Sequence, residues 1–330
     1  MEFGLSEEQQ ELVSTVRGLL AKRADSRAVR ASIAEPLGHD EALWRTLVEQ
    51  IGAAALGIPE EYDGAGFSLF EALLVLEEVG RSLAPSPLLS SLVTSEALLA
   101  GADEDAKARL LPRIAAGEIA ALVDGSGHAV LDGDTATVLV AVTDAGLVEV
   151  EAATARRTRL GSVDQTLRLA RVDLEGATTT PIGDADAARE RAALVGTVGT
   201  AALATGLAAR GLEMTVAYSK DRVQFGRPIG SFQALKHRMA DLLVLVEMSR
   251  SASWAASYAV SSGRADAAEL AHVAGSYCSE AVAHVAAETI QLHGGIAITW
   301  EHDAHLVFKR AHALGQLFGS PLEHRALVEL

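Results

Sequence analysis

Cysteine is nearly absent from this chain of 330 residues; Cys278 is the only one. No intramolecular disulfide can form, which fits a reducing compartment, and the cytoplasm is the expected setting. The thiol lies in an apolar helical run with no partnered base, so it reads as a small buried hydrophobe rather than a nucleophile. Aromatic residues make up only 4% and there are 8 prolines. That scarcity, with abundant Ala and Leu, disfavours a β-sandwich and favours packed helices. Positive charge is short: 28 basic against 44 acidic residues, a net −16. Such a field repels phosphates, so no nucleic acid or anionic membrane is expected as partner, and an anionic ligand needs a local basic pocket. Charged residues are taken to interrupt every apolar run short of about 18 residues, so no membrane span is expected. The start, Met1 to Glu8, is acidic and lacks a basic-then-apolar signal pattern.

Other chemistries lack their residues. His302 and His305 flank Asp303 at a spacing that puts two imidazoles on one helix face, but no third ligand is evident and no metal is expected. Gly125-Ser-Gly127 lacks the spacing of a nucleophile elbow, and no Walker or Rossmann glycine string occurs.

What is present divides into three stretches. Helical periodicity predicts helices over 6–24, capped by Ser6 with Glu7 and Glu8 in the first turn, and over 40–51, 68–82, 87–101 and 103–116. Between them, Gly57 to Gly66 is a Gly/Pro-punctuated loop. From about 119 to 182, short β-rich runs (120–123, 135–142, 147–152, 166–172) alternate with Asp-Gly, Gly-Asp and Asp-Ala-Gly turn signals. Helical patterning then resumes over 186–221, 233–262, 265–293 and 303–318, four long helices with short connections. The expected class is mostly α, with a helical domain at 1–118, a small reduced β domain at 119–184 and a four-helix bundle at 185–330.

Two strings in the last stretch carry the most specific signal. The first is Arg222-Val-Gln-Phe-Gly-Arg-Pro-Ile-Gly-Ser-Phe-Gln233, and the second is Gln291-Leu-His-Gly-Gly295. A guanidinium at the end of a helix can grip a pyrophosphate through two parallel charge-assisted hydrogen bonds, which a lysine cannot copy. Consecutive glycines let backbone amides approach a ligand, and Gln291 adds a directional amide. Alone, Arg222 reads as a cation on a helix C-terminus and Gly294-Gly295 as a helix cap. Together they resemble the two flavin-contacting signatures of the acyl-CoA dehydrogenase family. The Gly57–Gly66 loop also resembles that family's G-x-P-E-x-Y-G-G-x-G loop, with Asp63 for the first glycine of the pair, and Ala297 stands where G-G-x-G has its last glycine. The resemblance implies the family's fold, an FAD cofactor, and contacts from Arg222, Phe225, Phe232, Gln233, Gln291, Leu292, Gly294 and Gly295 to a flavin held mainly by a neighbouring subunit.

The same resemblance exposes losses. These enzymes remove the α-proton of an acyl-CoA thioester with a glutamate held within hydrogen-bond reach. Counted without gaps from Gly294-Gly295, the usual glutamate falls on Phe318; the other known position, on the first bundle helix, falls on Gly196. Glu213 lies 17 positions beyond Gly196, about 25 Å along a helix, too far to substitute. Glu190, six positions before it, is the remaining candidate for a displaced base, whereas Glu301 and Glu323 align with neither position. Residues 119–182 also contain neither the family's L-T-E-P-x-A-G-S-D loop nor its flavin-stacking Trp, and are too few for its usual β domain.

The leading expectation is therefore a subunit of an FAD-dependent acyl-CoA dehydrogenase, without a catalytic residue of its own. A homologous full-length subunit supplies the base in an α2β2 assembly, the substrate being a bulky, steroid-like acyl-CoA and an electron-transfer acceptor reoxidising the flavin. The alternatives are a self-sufficient homo-oligomeric dehydrogenase using Glu190, and a structural helical protein without flavin.

Overall fold

The computed structural model describes residues 4–328; the reading of Met1 to Phe3 and the last two positions of the 185–330 stretch lie outside the described residues. Contacts group the chain into two compact units, one running to Leu76 and over Ala84–Gly196, the other comprising Glu77–Leu83 and Thr197 onward.

The first unit opens with α1 (Glu7–Arg23), α2 (Ser26–Ala34) and α3 (Glu41–Ile51). Ser6 caps α1 in a reciprocal box: its hydroxyl accepts from the Gln9 amide at 3.2 Å, and the Gln9 side chain accepts from the Ser6 amide at 2.9 Å. The short α2, capped by Asp25, falls where no helix was expected. Residues 57–66 form a loop around one 3-10 turn (Glu60–Tyr62). Asp63 adopts φ +59, taking the conformation a glycine would supply. Gly64 is required for space, since a Cβ there would lie 1.8 Å from the Ile58 carbonyl oxygen. Helices α4 (Leu69–Ser82), α5 (Leu88–Gly101) and α6 (Glu104–Ala115) follow.

Seven strands complete this unit: β1 (Ala120–Val123), β2 (Val130–Leu131), β3 (Val138–Thr143), β4 (Gly146–Val150), β5 (Arg156–Arg159), β6 (Leu169–Asp173) and β7 (Thr179–Gly183). One sheet has the order β1-β3-β4-β7, parallel only between β1 and β3; the other has β2-β6-β5 and is antiparallel. Ala121, Val123, Val130, Leu139, Ala141, Val148, Val150 and Val172 form a small apolar core. The expected strand runs all lie at or beside observed strands. The periodicity misses β2, β5 and β7; β5, Arg-Arg-Thr-Arg, has no apolar alternation to reveal it.

The second unit takes α7 (Ala185–Asp221) from Thr197 onward, continued through a two-stranded hairpin, β8 (Val223–Gln224) and β9 (Arg227–Pro228), into α8 (Gln233–Ser261) and α9 (Ala267–His293). Where α4 and α7 cross within this unit, each offers a glycine. A Cβ on Gly80 would lie 2.2 Å from the Leu203 carbonyl oxygen, and one on Gly206 1.8 Å from that of Glu77. Buried Glu77 accepts hydrogen bonds from Arg250 at 3.2 Å and Trp254 at 2.8 Å, and burial pushes its carboxyl above the usual range. Arg238 binds Glu288 in a two-point pair at 2.6 Å, tying α8 to α9.

Two expectations are corrected here. The fourth bundle helix, α10, covers only Ala304–Leu314; its continuation is a turn, and α11 (Pro321–Ala326) follows behind a second Ser-Glu capping box. Phe318 stands in that turn at φ +53, which a continuing helix cannot accommodate. Secondly, charges do not interrupt every apolar run: α7 contains an 18-residue window apolar enough to cross a membrane. Of that window 89% is buried inside the protein, which accounts for its composition, because a helix packed all round is apolar all round.

Candidate functional site

Arg222 directly follows α7, its amide donating to the Tyr218 carbonyl at 2.9 Å and its carbonyl accepting from the Ile229 amide at 2.8 Å. These bonds root a hairpin. Its two-residue loop, Phe225-Gly226, has φ +53 and +76, the pair of positive values that a tight hairpin requires. Phe225 is 92% exposed. Its ring meets Phe232 edge-on at 6.2 Å, and the Arg227 guanidinium lies 4.0 Å over the Phe232 ring. Gly230, in the 3-10 turn (Ile229–Ser231) that follows the returning strand, is where the chain closes on α7, since a Cβ there would lie 2.8 Å from the Ser219 hydroxyl. Gln233 starts α8 and is exposed, as is Arg222, whose guanidinium makes no ion pair among the described residues. The string thus presents a cation, an exposed ring and an amide from one short protrusion.

The second string ends α9. Gln291 is exposed, whereas the Leu292 side chain is buried and is not offered to a ligand. Gly294 has φ +65 and ψ −146, a conformation open only to glycine. A Cβ on Gly294 or Gly295 would meet nothing within 4 Å, so the backbone there is open to a ligand. Ala297 is fully buried.

The two strings issue from the same end of the bundle. Tyr218 of α7 stacks on His293 of α9 with ring centroids 4.5 Å apart, and His293 in turn lies 4.5 Å from His302, just ahead of α10. The His293 Nδ1 lies 2.7 Å from the Thr289 carbonyl and must donate to it, which settles the tautomer. Burial holds the His293 imidazole below its ordinary value, with neighbouring His302 acting in the same direction. His302 Nδ1 accepts from the Ala304 amide at 3.2 Å. Neither Tyr218 nor His293 stands out by residue type in the sequence; the signal that could have found them is position, one turn before Arg222 and immediately before Gly294.

Other candidates resolve into packing. His305 packs edge-on to Trp300 at 4.7 Å, and no group of three or more metal-ligating side chains occurs among the described residues. Cys278 is buried, its thiol pushed up to about 12 by desolvation. Gly196 is buried within α7. Glu190 is exposed on the same unbroken helix, roughly 9 Å along and 240° around from Gly196, so it does not occupy that position. Glu323 is occupied as the capping partner of Ser320 at 2.8 Å.

The acyl-CoA dehydrogenase N-terminal domain pattern matches residues 6–118, and the C-terminal domain pattern matches 183–326. The chain belongs to the acyl-CoA dehydrogenase family. Acyl-CoA dehydrogenase IpdE2 of Mycobacterium tuberculosis is 48% identical over 318 residues, covering 96% of this chain and 95% of that protein. Its Mycolicibacterium smegmatis counterpart is 45% identical over 326 residues, 98% of this chain and 99% of that one. Among solved structures, the ChsE4–ChsE5 complex of M. tuberculosis superposes with a TM-score of 0.89 at 25% identity, over 99% of this chain and 97% of that one. The Tcur3481–Tcur3483 steroid acyl-CoA dehydrogenase variant gives 0.86 at 27%, over 97% and 96%. The fold is accordingly that of an acyl-CoA dehydrogenase: an N-terminal helical domain, a small sheet domain and a C-terminal helical domain.

The exposed groups of the two strings have the chemistry of one end of a flavin dinucleotide. Arg222, the Phe225 ring and the open Gly294-Gly295 backbone suit a pyrophosphate and adenosine. The three tryptophans are Trp44, Trp254 and Trp300, so the sheet region has none to lie against a flavin ring.

Proposed function

We propose that this chain is the non-catalytic subunit of an FAD-dependent acyl-CoA dehydrogenase, paired with a homologous full-length subunit in an α2β2 assembly. One observation carries the reading: the Arg222–Gln233 and Gln291–Gly295 strings issue from one end of the bundle. The two positions at which the family resemblance expects the base hold Phe318 and Gly196, which cannot take a proton. Arg222 would grip the pyrophosphate, Phe225, Phe232 and Gln233 would hold the adenosine end, and Gln291 with the Leu292–Gly295 backbone would close over it. When bound, the flavin supplies the acceptor for the substrate's β-hydride; the carboxylate that removes the α-proton comes from the partner. The kinship with the ChsE4–ChsE5 complex and a steroid acyl-CoA dehydrogenase supports both the heteromeric form and a bulky, steroid-like acyl-CoA substrate. The 1–118, 119–184 and 185–330 division, a cytoplasmic setting and reoxidation by an electron-transfer partner belong to the same proposal.

The test is flavin stoichiometry by absorbance, for the chain purified alone and co-expressed with a full-length homologue from the same genome. Near-zero flavin alone, one FAD per pair and acyl-CoA oxidation by the pair are expected. Replacement of Arg222 by Ala should weaken FAD binding by the pair roughly a hundredfold, as loss of a paired charge contact does. One FAD per chain with turnover in the absence of a partner would sink the reading.

A further inference from the structure

We infer that Tyr218, His293 and His302 form a positioning unit that sets the register of the two flavin-directed segments against each other; the inference rests on the flavin-contact reading above. Each segment starts from one of these rings. Arg222 is anchored through its amide to the Tyr218 carbonyl at 2.9 Å, and Gly294 directly follows His293. The rings come from three separate places, the last turn of α7, the last residue of α9 and the turn before α10, and they lie 4.5 Å and 4.5 Å apart in sequence along the stack. Tyr218 also meets His302 edge-on at 6.2 Å, closing the cluster into a triangle.

Both imidazoles are locked by backbone groups. His293 Nδ1 donates to the Thr289 carbonyl within α9, and His302 Nδ1 accepts the Ala304 amide at the start of α10. Neither ring can rotate without giving up a hydrogen bond, so each holds its own helix end at a defined distance from Tyr218. His293 is 3% exposed, which leaves no room for a slipped arrangement. What the stack adds is a fixed spacing between the Arg222 hairpin and the Gly294-Gly295 turn. A dinucleotide gripped at both points needs that spacing, because a misplacement on the order of 1 Å is costly to any two-point grip.

The test measures FAD affinity by reconstituting the flavin-stripped complex of this chain with its full-length partner. Tyr218→Ala and His293→Ala should each weaken FAD binding about tenfold, the size of a lost aromatic pair, whereas Tyr218→Phe, which keeps the ring, should stay within about twofold of the wild type. Val246→Ala, a buried α8 substitution outside the stack, should lower the melting temperature without moving the affinity of the folded complex. If His293→Ala does not fold, His302→Ala, at the half-buried end of the stack, takes its place. The inference is overturned if the alanine variants bind FAD like the wild type, if Tyr218→Phe is as weak as Tyr218→Ala, or if Val246→Ala weakens FAD equally. Arg222→Ala separates the levels. Normal affinity in that variant defeats the flavin-contact reading and this inference with it, whereas weak affinity there beside normal affinity in the stack variants defeats this inference alone.

Discussion

Asp132 holds a carboxyl that the fold deprives of water. It is 6% exposed, accepts one hydrogen bond from the Ser90 hydroxyl at 2.7 Å and has φ +51. Burial raises it from its ordinary 3.8 to about 7, against the pull of Arg168. A group whose pKa is raised by folding contributes stability below its unfolded value and loses it as pH rises through the folded one, here between 3.8 and about 7. Asp132→Asn keeps an acceptor for Ser90, suits the positive φ and removes the charge. Its melting temperature should exceed that of the wild type at pH 8, by the equivalent of roughly 2 kcal/mol, and the gain should shrink at pH 5. A difference that does not change with pH would show that the carboxyl is not the cause. Phe225 and Phe318 also hold positive φ, and nothing in their side chains announces it; the surrounding loops impose it.

At the scale of elements, the crossing of α4 and α7 depends on two glycines facing carbonyl groups. Gly206→Ala would push a methyl to 1.8 Å from the Glu77 oxygen, so it should destabilise by about 3 kcal/mol in chemical denaturation. Gly18→Ala on the exposed face of α1, where a Cβ meets nothing within 4 Å, should instead stabilise by roughly 0.5–1 kcal/mol. If both changes have the same sign, contact at the crossing is not what selects Gly206. From sequence both are glycines inside helical patterns, and only the packing tells them apart. The long helices are legible because their periodicity runs for many turns. The arginine-rich β5, the two-residue β2 and the shortened α10 are not, because short elements take their form from neighbours rather than from their own pattern.

For the whole molecule, the question is where the proton-abstracting group resides. Glu190 is exposed and does not share the Gly196 face of α7. Glu190→Gln should therefore leave acyl-CoA oxidation by the complex within about twofold of the wild type; a collapse of turnover with flavin retained would place the base in this chain after all. The Arg222–Gln233 and Gln291–Gly295 strings were visible in the sequence because each depends on residue identity at fixed spacing. Their common origin at one end of the bundle was not visible. Tyr218 and His293 are separated by some seventy positions, and their contact exists only once α7 and α9 run side by side with their C-termini together. The helix-sheet-helix order and the family could be read along the chain, because helical periodicity and residue strings at fixed spacing are local. Only the packing could show that the apolar window of α7 lies buried, that Leu292 turns inward, that Phe318 sits in a turn, and that three rings join two distant strings, because each of these depends on what the neighbouring helices leave room for.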